Sequence, residues 1–116
     1  MRNLFLASAV LALLGTAPAY AGDDAGAKRL WASKCSNCHG DDGKAQTAKG
    51  KEMGIRDVTT AEWQKELTDE KIQKAIEDGI DTTKDGKKQK MDGYKDKLKP
   101  EQIKDLVKYM RSLAGK

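Results

Sequence analysis

The motif Cys35-Ser36-Asn37-Cys38-His39 is the feature that most limits what this chain can fold into. It holds both cysteines and the only histidine of the 116 residues. Thiols and imidazoles are the side chains that form disulfides or thioethers and bind soft metal ions. Their concentration in five consecutive positions predicts one chemical centre near the start of the chain. The cellular compartment in which the protein resides determines which of these reactions the centre can undergo.

The N-terminus has the pattern of a secretory signal peptide. Arg2 gives a positive start, an uncharged apolar run of 11 residues covers 4–14, and the tripeptide Ala-Tyr-Ala offers small residues at the cleavage position. The run is too short for a membrane span, which needs roughly 20 apolar residues. We therefore expect cleavage after Ala21, export, no stable membrane insertion, and one mature domain over 22–116.

The expected mature domain has few aliphatic side chains for a core. Leu, Ile and Val number 12 in its 95 residues and Phe is absent, whereas 39 residues are charged with a net charge of +3. Low aliphatic content with high charge is typical of disorder, although the small net charge weakens that inference. Because helical periodicity also argues against disorder, we expect a group other than side chains to complete the core.

Four chemistries compete for the motif. A Cys35–Cys38 disulfide would close a loop too short to stabilise the fold much, a redox-active pair would need a flanking βαβ unit, and a structural zinc site needs four ligands where three exist. The spacing C-x-x-C-H indicates covalent haem attachment, with two thioethers and His39 on the iron. Burying the porphyrin, at roughly 25 cal/mol per Å² of apolar surface, would supply the missing core.

The rest of the chain predicts an all-α domain of four to five short helices. The last helix is the clearest, because Pro100 stands at its first position and apolar residues follow at helical spacing. No strand pair is predicted. Periodicity and capping residues place the helices near 24–35, 59–67, 69–78 and 100–113, with polar loops over 40–58 and 80–98.

The opposite face of the iron takes a protein ligand, a substrate or nothing, and the chain has no second histidine to serve as that ligand. Met110 lies on the apolar stripe of the last helix, where packing explains it. Met53 follows His39 by only 14 residues. Met91 lies in a polar loop, two helices beyond the histidine, so the chain has room to reach the other face. We favour Met91.

With CSNCHG near its start and KMDGYKDKLKPEQIKDLVKYMRSL at its end, the expected mature chain resembles the small class I monohaem cytochromes c of the bacterial periplasm. The resemblance implies a cytochrome c fold wrapped around one covalent haem c, with the N- and C-terminal helices crossing. It also implies thioethers at Cys35 and Cys38 and the axial pair His39 and Met91.

Three departures from the family stand out. The family often has proline directly after the distal methionine, where this chain has Asp92, and it usually caps the last helix with serine or threonine, where this chain has Lys99. It often uses a proline carbonyl to accept the Nδ1–H of the proximal histidine, but residues 40–99 lack proline. Another carbonyl of the 40–58 loop is therefore expected to hold His39.

The function that the resemblance implies is a soluble periplasmic electron carrier with redox protein partners and no enzymatic activity. Methionine and histidine ligation keeps both oxidation states six-coordinate, which suits a carrier. Two alternatives stay open. One is a haem sensor of small ligands in which Met91 does not coordinate, and the other is the haem subunit of a larger periplasmic oxidoreductase.

Two further features bear on partners and on the cofactor. Arg56 and Trp63 could hydrogen-bond the haem propionates, or they could be a surface arginine and a core tryptophan. Lysines outnumber aspartates around Met91, which indicates either a solvated loop or a basic surface that steers an acidic partner. We expect a monomer that binds no nucleic acid. The lysines around Met91 are Lys84, Lys87, Lys88, Lys90, Lys95, Lys97 and Lys99.

Overall fold

The computed structural model describes residues 24–116, so the predicted signal peptide and its cleavage site lie outside the described residues. Within this range no helix is long and apolar enough to cross a bilayer. A π-helical turn, Trp31–Cys35, joins the first two helices. The elements are α1 (Asp24–Leu30), α2 (Ser36–His39), α3 (Ala48–Met53), α4 (Ala61–Glu66), α5 (Asp69–Asp78), β1 (Ile80–Lys84), β2 (Lys87–Met91) and α6 (Pro100–Ser112).

Threonine caps begin α4 and α5, as the sequence predicts. Thr60 Oγ1 accepts a hydrogen bond from the backbone N–H of Trp63, and Thr68 Oγ1 accepts one from that of Lys71. Each bond satisfies a donor that has no partner inside the helix. The predicted starts of both helices are confirmed.

The last helix, α6, forms the centre of the core and packs against α1. The ring of Trp31, which is 2% exposed, lies 5.7 Å from the ring of Tyr109 on α6. The first and last helices also contact each other directly, as the resemblance implies. The predicted apolar stripe of α6 is buried in full: Ile103, Leu106, Val107, Met110 and, just beyond the helix, Leu113.

The prediction of a continuous loop over 40–58 is wrong, because α3 lies within it. Thr47 Oγ1 accepts from the backbone N–H of Gly50, and Gly54, with a φ of 63°, ends the helix in the left-handed conformation. The sequence holds both signals. They are hard to recognise because α3 is short and polar, and so shows no apolar stripe.

The prediction of a loop over 80–98 is also wrong for its first part, where β1 and β2 form an antiparallel hairpin. Ile80 pairs with Met91, and Asp85-Gly86 makes the turn with φ values of 50° and 76°. An Asp-Gly pair with both φ values positive is the preferred hairpin turn. The strands are hard to predict because they are polar and exposed and lack alternating hydrophobicity. The domain is mostly helical with one small sheet.

Arg111 on α6 ties the two middle helices to the last one. Its guanidinium donates to the backbone carbonyls of Gln64 (2.8 Å) and Leu67 (2.5 Å) and to Oδ1 of Asp69 (2.7 Å). Both carbonyls belong to the carboxyl end of α4, where a helix leaves its acceptors unpaired. One side chain thus fixes α4 and α5 relative to α6.

Candidate cofactor site

A cleft opens between the helices and the hairpin. Its empty space amounts to about 1140 Å³ including the open mouth, and its walls come from almost every element. The aliphatic and aromatic residues that should form a core, such as Trp31, Trp63, Ile72, Ile76 and Leu106, face this space. The side chains therefore surround an apolar cleft, as expected for a chain whose core needs a further group.

The cysteine–histidine motif lies at one side of the cleft. The π-helical turn, in which the N–H of Ser36 donates to the carbonyl of Trp31, widens the helix just before the motif. Cys35 ends this turn and lines the cleft together with His39. Cys38 is half-buried and is not part of the cleft wall. Two of the three predicted attachment residues therefore face the cleft directly.

The segment that follows the motif holds its backbone in place. Thr47 Oγ1 donates to the carbonyl of Cys38 at 2.7 Å, and the N–H of Ala45 donates to the carbonyl of His39 at 2.8 Å. A Cβ at Gly50 would collide with the Ala45 carbonyl and lie 2.7 Å from that of Cys38. Only glycine allows α3 to approach the motif so closely.

The expected carbonyl partner of His39 is not found. Nδ1 of His39 is buried without a hydrogen-bond partner among the described residues. The imidazole instead packs against Trp31, with the ring centroids 5.4 Å apart, and Trp31 Nε1 donates to the carbonyl of Gly40 at 2.9 Å. Burial lowers the pKa of His39, which favours the neutral, metal-binding form of the ring.

The cysteines suit neither a redox dithiol nor a zinc site. Both are free, and burial, with a smaller contribution from Cys38, raises the pKa of the Cys35 thiol to about 11. Redox-active cysteines instead have lowered pKa values. Within residues 24–116 no three His, Cys, Asp or Glu side chains are grouped to hold a metal ion.

Three methionines reach the cleft. Met91 ends β2 and Met53 ends α3, and both are half-buried, whereas Met110 on α6 is 7% exposed and belongs to the core. All three line the cleft. The structure therefore places Met91, the favoured distal ligand, in the same cleft as His39. It places Met53 and Met110 there as well.

The charged residues of the cleft wall are all basic within the described chain: Arg56, Lys71, Lys84 and Lys90. Arg56 also pairs with Glu66 at 2.6 Å, and Trp63 is buried with 6% of its surface exposed. Both predicted propionate contacts thus lie at the cleft. Apolar walls, basic charges and a neutral imidazole fit a flat apolar cofactor with anionic groups, as haem is.

Comparisons with known proteins agree with this fit. The family model described as "Cytochrome c" matches residues 24–114. The solved KustC0563 c-type cytochrome is 34% identical, with a TM-score of 0.63 over 76% of this chain and 96% of that one. A point mutant of Kustc0563, solved separately, is also 34% identical, with a TM-score of 0.62 over 75% and 96%.

A more distant structure shares the fold alone. Cytochrome CL from the marine methylotrophic bacterium Methylophaga aminisulfidivorans MPT is 16% identical, with a TM-score of 0.57 over 78% of this chain and 53% of that one. No curated protein sequence matches the chain.

Proposed function

The chain belongs to the cytochrome c family, and from this premise we propose that it is a periplasmic electron carrier with His39 and Met91 as axial ligands. Membership confirms the predicted cytochrome c fold and a covalently bound haem c. The general function follows as well: the chain is a haem-based electron carrier that exchanges electrons with redox partners. The residue roles and the location are the proposal.

The observation that carries the residue roles is that Cys35, His39 and Met91 line one apolar cleft. The haem supplies a one-electron iron couple when it is bound. In our proposal Cys35 and Cys38 anchor its edge through thioethers, His39 binds the iron from one side, and Met91 binds it from the other. Two protein ligands leave no open position, so little rearranges when an electron moves.

The lining of the cleft supports a carrier over an enzyme. Enzymatic haem sites supply acid–base residues beside an open coordination position. In residues 24–116 no carboxylate lines this cleft, and its one imidazole is His39. We propose that Arg56 and Trp63 contact the propionates, with Arg56 shared between the cofactor and Glu66.

The outer surface of the hairpin supports docking to an acidic partner. Lys88 and Lys90 on β2 are exposed, and Lys90 also lines the cleft. Because Lys84 and Lys90 line the cleft mouth, the basic surface adjoins the proposed haem edge. The signal-peptide pattern with cleavage after Ala21 is what supports the periplasmic location.

The experiment that tests the ligand set replaces each methionine of the cleft in the holoprotein. Met91→Ala should abolish the near-infrared sulfur-to-iron band and lower the midpoint potential, because thioether ligation favours ferrous iron. Met53→Ala should keep the band. Met110→Ala should keep it too and lower the free energy of unfolding by roughly 2–5 kcal/mol, as a core truncation does.

Three results would contradict the proposal at different levels. Loss of the band in Met53→Ala with retention in Met91→Ala would move the distal ligand and leave the carrier function intact. A wild-type protein without the band that binds carbon monoxide rapidly when reduced would replace the carrier by the ligand sensor. A stable complex purified from the periplasm would favour the subunit of a larger oxidoreductase.

A further inference from the structure

Gln89 and Met91 lie on the same face of β2, because side chains two residues apart in a strand point to the same side. Both line the cleft. Across the hairpin they stand opposite Thr82 and Ile80. The next residue of this face towards the turn is Lys87, so one face of the strand carries a lysine, a glutamine and the proposed distal ligand.

The polar side chains of this face satisfy the carboxyl end of α3. Gln89 Nε2 donates to the carbonyls of Met53 (3.1 Å) and Gly54 (3.2 Å). Lys87 Nζ donates to the carbonyl of Lys51 at 3.2 Å. The N–H of Gly54 already donates to the Lys51 carbonyl, so Gln89 supplies the partner of the Met53 carbonyl at the helix end, and both side chains attach β2 to α3.

The base of the hairpin is held by backbone contacts with α5. The N–H of Tyr94 donates to the carbonyl of Ile76 at 2.8 Å. A Cβ at Gly93 would lie 2.7 Å from the carbonyl of Glu77, so the two backbones are in direct contact there. Met91 lies between this backbone contact and the Gln89 hydrogen bonds, which hold the strand from two sides.

We propose that Gln89 is a positioning residue for the distal methionine: by tying β2 to the end of α3 it holds the Met91 thioether at the iron and slows the entry of competing ligands. This inference rests on the proposed role of Met91. The Gln89 amide supplies two donors to two carbonyls, and an apolar side chain of similar size supplies none.

The test measures how fast imidazole displaces the methionine in ferric holoprotein. Gln89→Leu removes both donors and keeps most of the side-chain volume. The displacement rate should rise roughly tenfold, because the net contribution of a hydrogen bond corresponds to about that factor in the equilibrium by which the strand opens. The sulfur-to-iron band should weaken in parallel. Gln89→Arg, which restores donors without adding a ligand for iron, should return both readouts towards wild type.

Thr83→Ala is the matched control, because Thr83 lies on the outer face of the same hairpin opposite Lys88. It leaves the hydrogen bonds between β2 and α3 in place and should keep the rate within about twofold of wild type, the order of effect expected of an exposed surface substitution. Equal rates in Gln89→Leu and Thr83→Ala would overturn the positioning role. An unchanged band in Met91→Ala would instead overturn the proposed ligand set, and this inference with it.

A second measurement covers the case in which Gln89→Leu fails to mature. In wild-type holoprotein the side-chain amide protons of Gln89 should exchange with solvent about tenfold more slowly than those of the exposed Gln46, because they are hydrogen-bonded. Equal exchange rates would show that the bonds to α3 do not persist in solution and would overturn the proposal.

Discussion

Trp31→Phe tests how the proximal side of the site is held. The indole N–H donates to the carbonyl of Gly40, directly after His39, while the ring packs against both His39 and Tyr109. Phenylalanine keeps an aromatic ring and removes the donor. The carbonyl keeps its bond from the N–H of Gly43 (3.2 Å), so the loss of the indole bond costs about 0.5–1.5 kcal/mol, and the smaller ring loses roughly 1 kcal/mol of packing.

The expected result is a free energy of unfolding lower by about 1.5–2.5 kcal/mol, measured by urea titration of the holoprotein. For a domain of this size that corresponds to a fall in Tm on the order of 6–20 °C. Tyr109→Phe is the control, because it keeps the ring that contacts Trp31 and should change stability by less than about 1 kcal/mol. The reasoning would be refuted if Trp31→Phe were as stable as wild type, since the Gly40 contact would then contribute nothing.

Three further predictions follow from the composition, the surface and the core. The Cys35→Ala/Cys38→Ala chain should show no cooperative thermal transition and little helix by circular dichroism; a well-folded apo-domain would show that haem is not the missing core. Electron transfer to an acidic acceptor should slow with added salt, and Lys88→Glu/Lys90→Glu should slow it further at low salt; rates indifferent to both would favour a solvated loop. Arg111→Met should lower the free energy of unfolding by about 2–4 kcal/mol by urea titration, because two carbonyls lose a charged donor; a loss below about 1 kcal/mol would show that water replaces it.

The parts of the fold that the sequence predicted are those whose signals are local. Thr68 caps α5, Pro100 begins α6, and the apolar stripe of α6 is buried, since each depends on residues within a few positions of one another. The motif from Cys35 to His39 is local in the same sense. A single segment therefore sufficed to predict the covalent cofactor.

The parts that were missed depend on turn chemistry or on distant contacts. Asp85-Gly86 identifies the hairpin, but its polar strands show no alternation that would draw attention to it. The carbonyl partner predicted for His39 Nδ1 is not found, and the close approach of Gly50 to the motif leaves no trace in sequence periodicity. The contact between Gln89 and the end of α3 spans 36 residues, and no local pattern predicts it.

The two sides of the proposed haem site differ in whether their contacts are local or distant in sequence. In the proposed arrangement the proximal ligand His39 would lie next to a covalent anchor at Cys38, and the hydrogen bonds to the backbone of both residues come from residues close in sequence. On the distal side Met91 has no covalent anchor, and non-covalent contacts from the hairpin base and from Gln89 set its position. A covalent bond does not open thermally, whereas contacts of this kind open with a free energy of a few kcal/mol at most. Ligand exchange and changes in the iron potential should therefore respond to substitutions in the hairpin far more than to substitutions of similar severity around the motif.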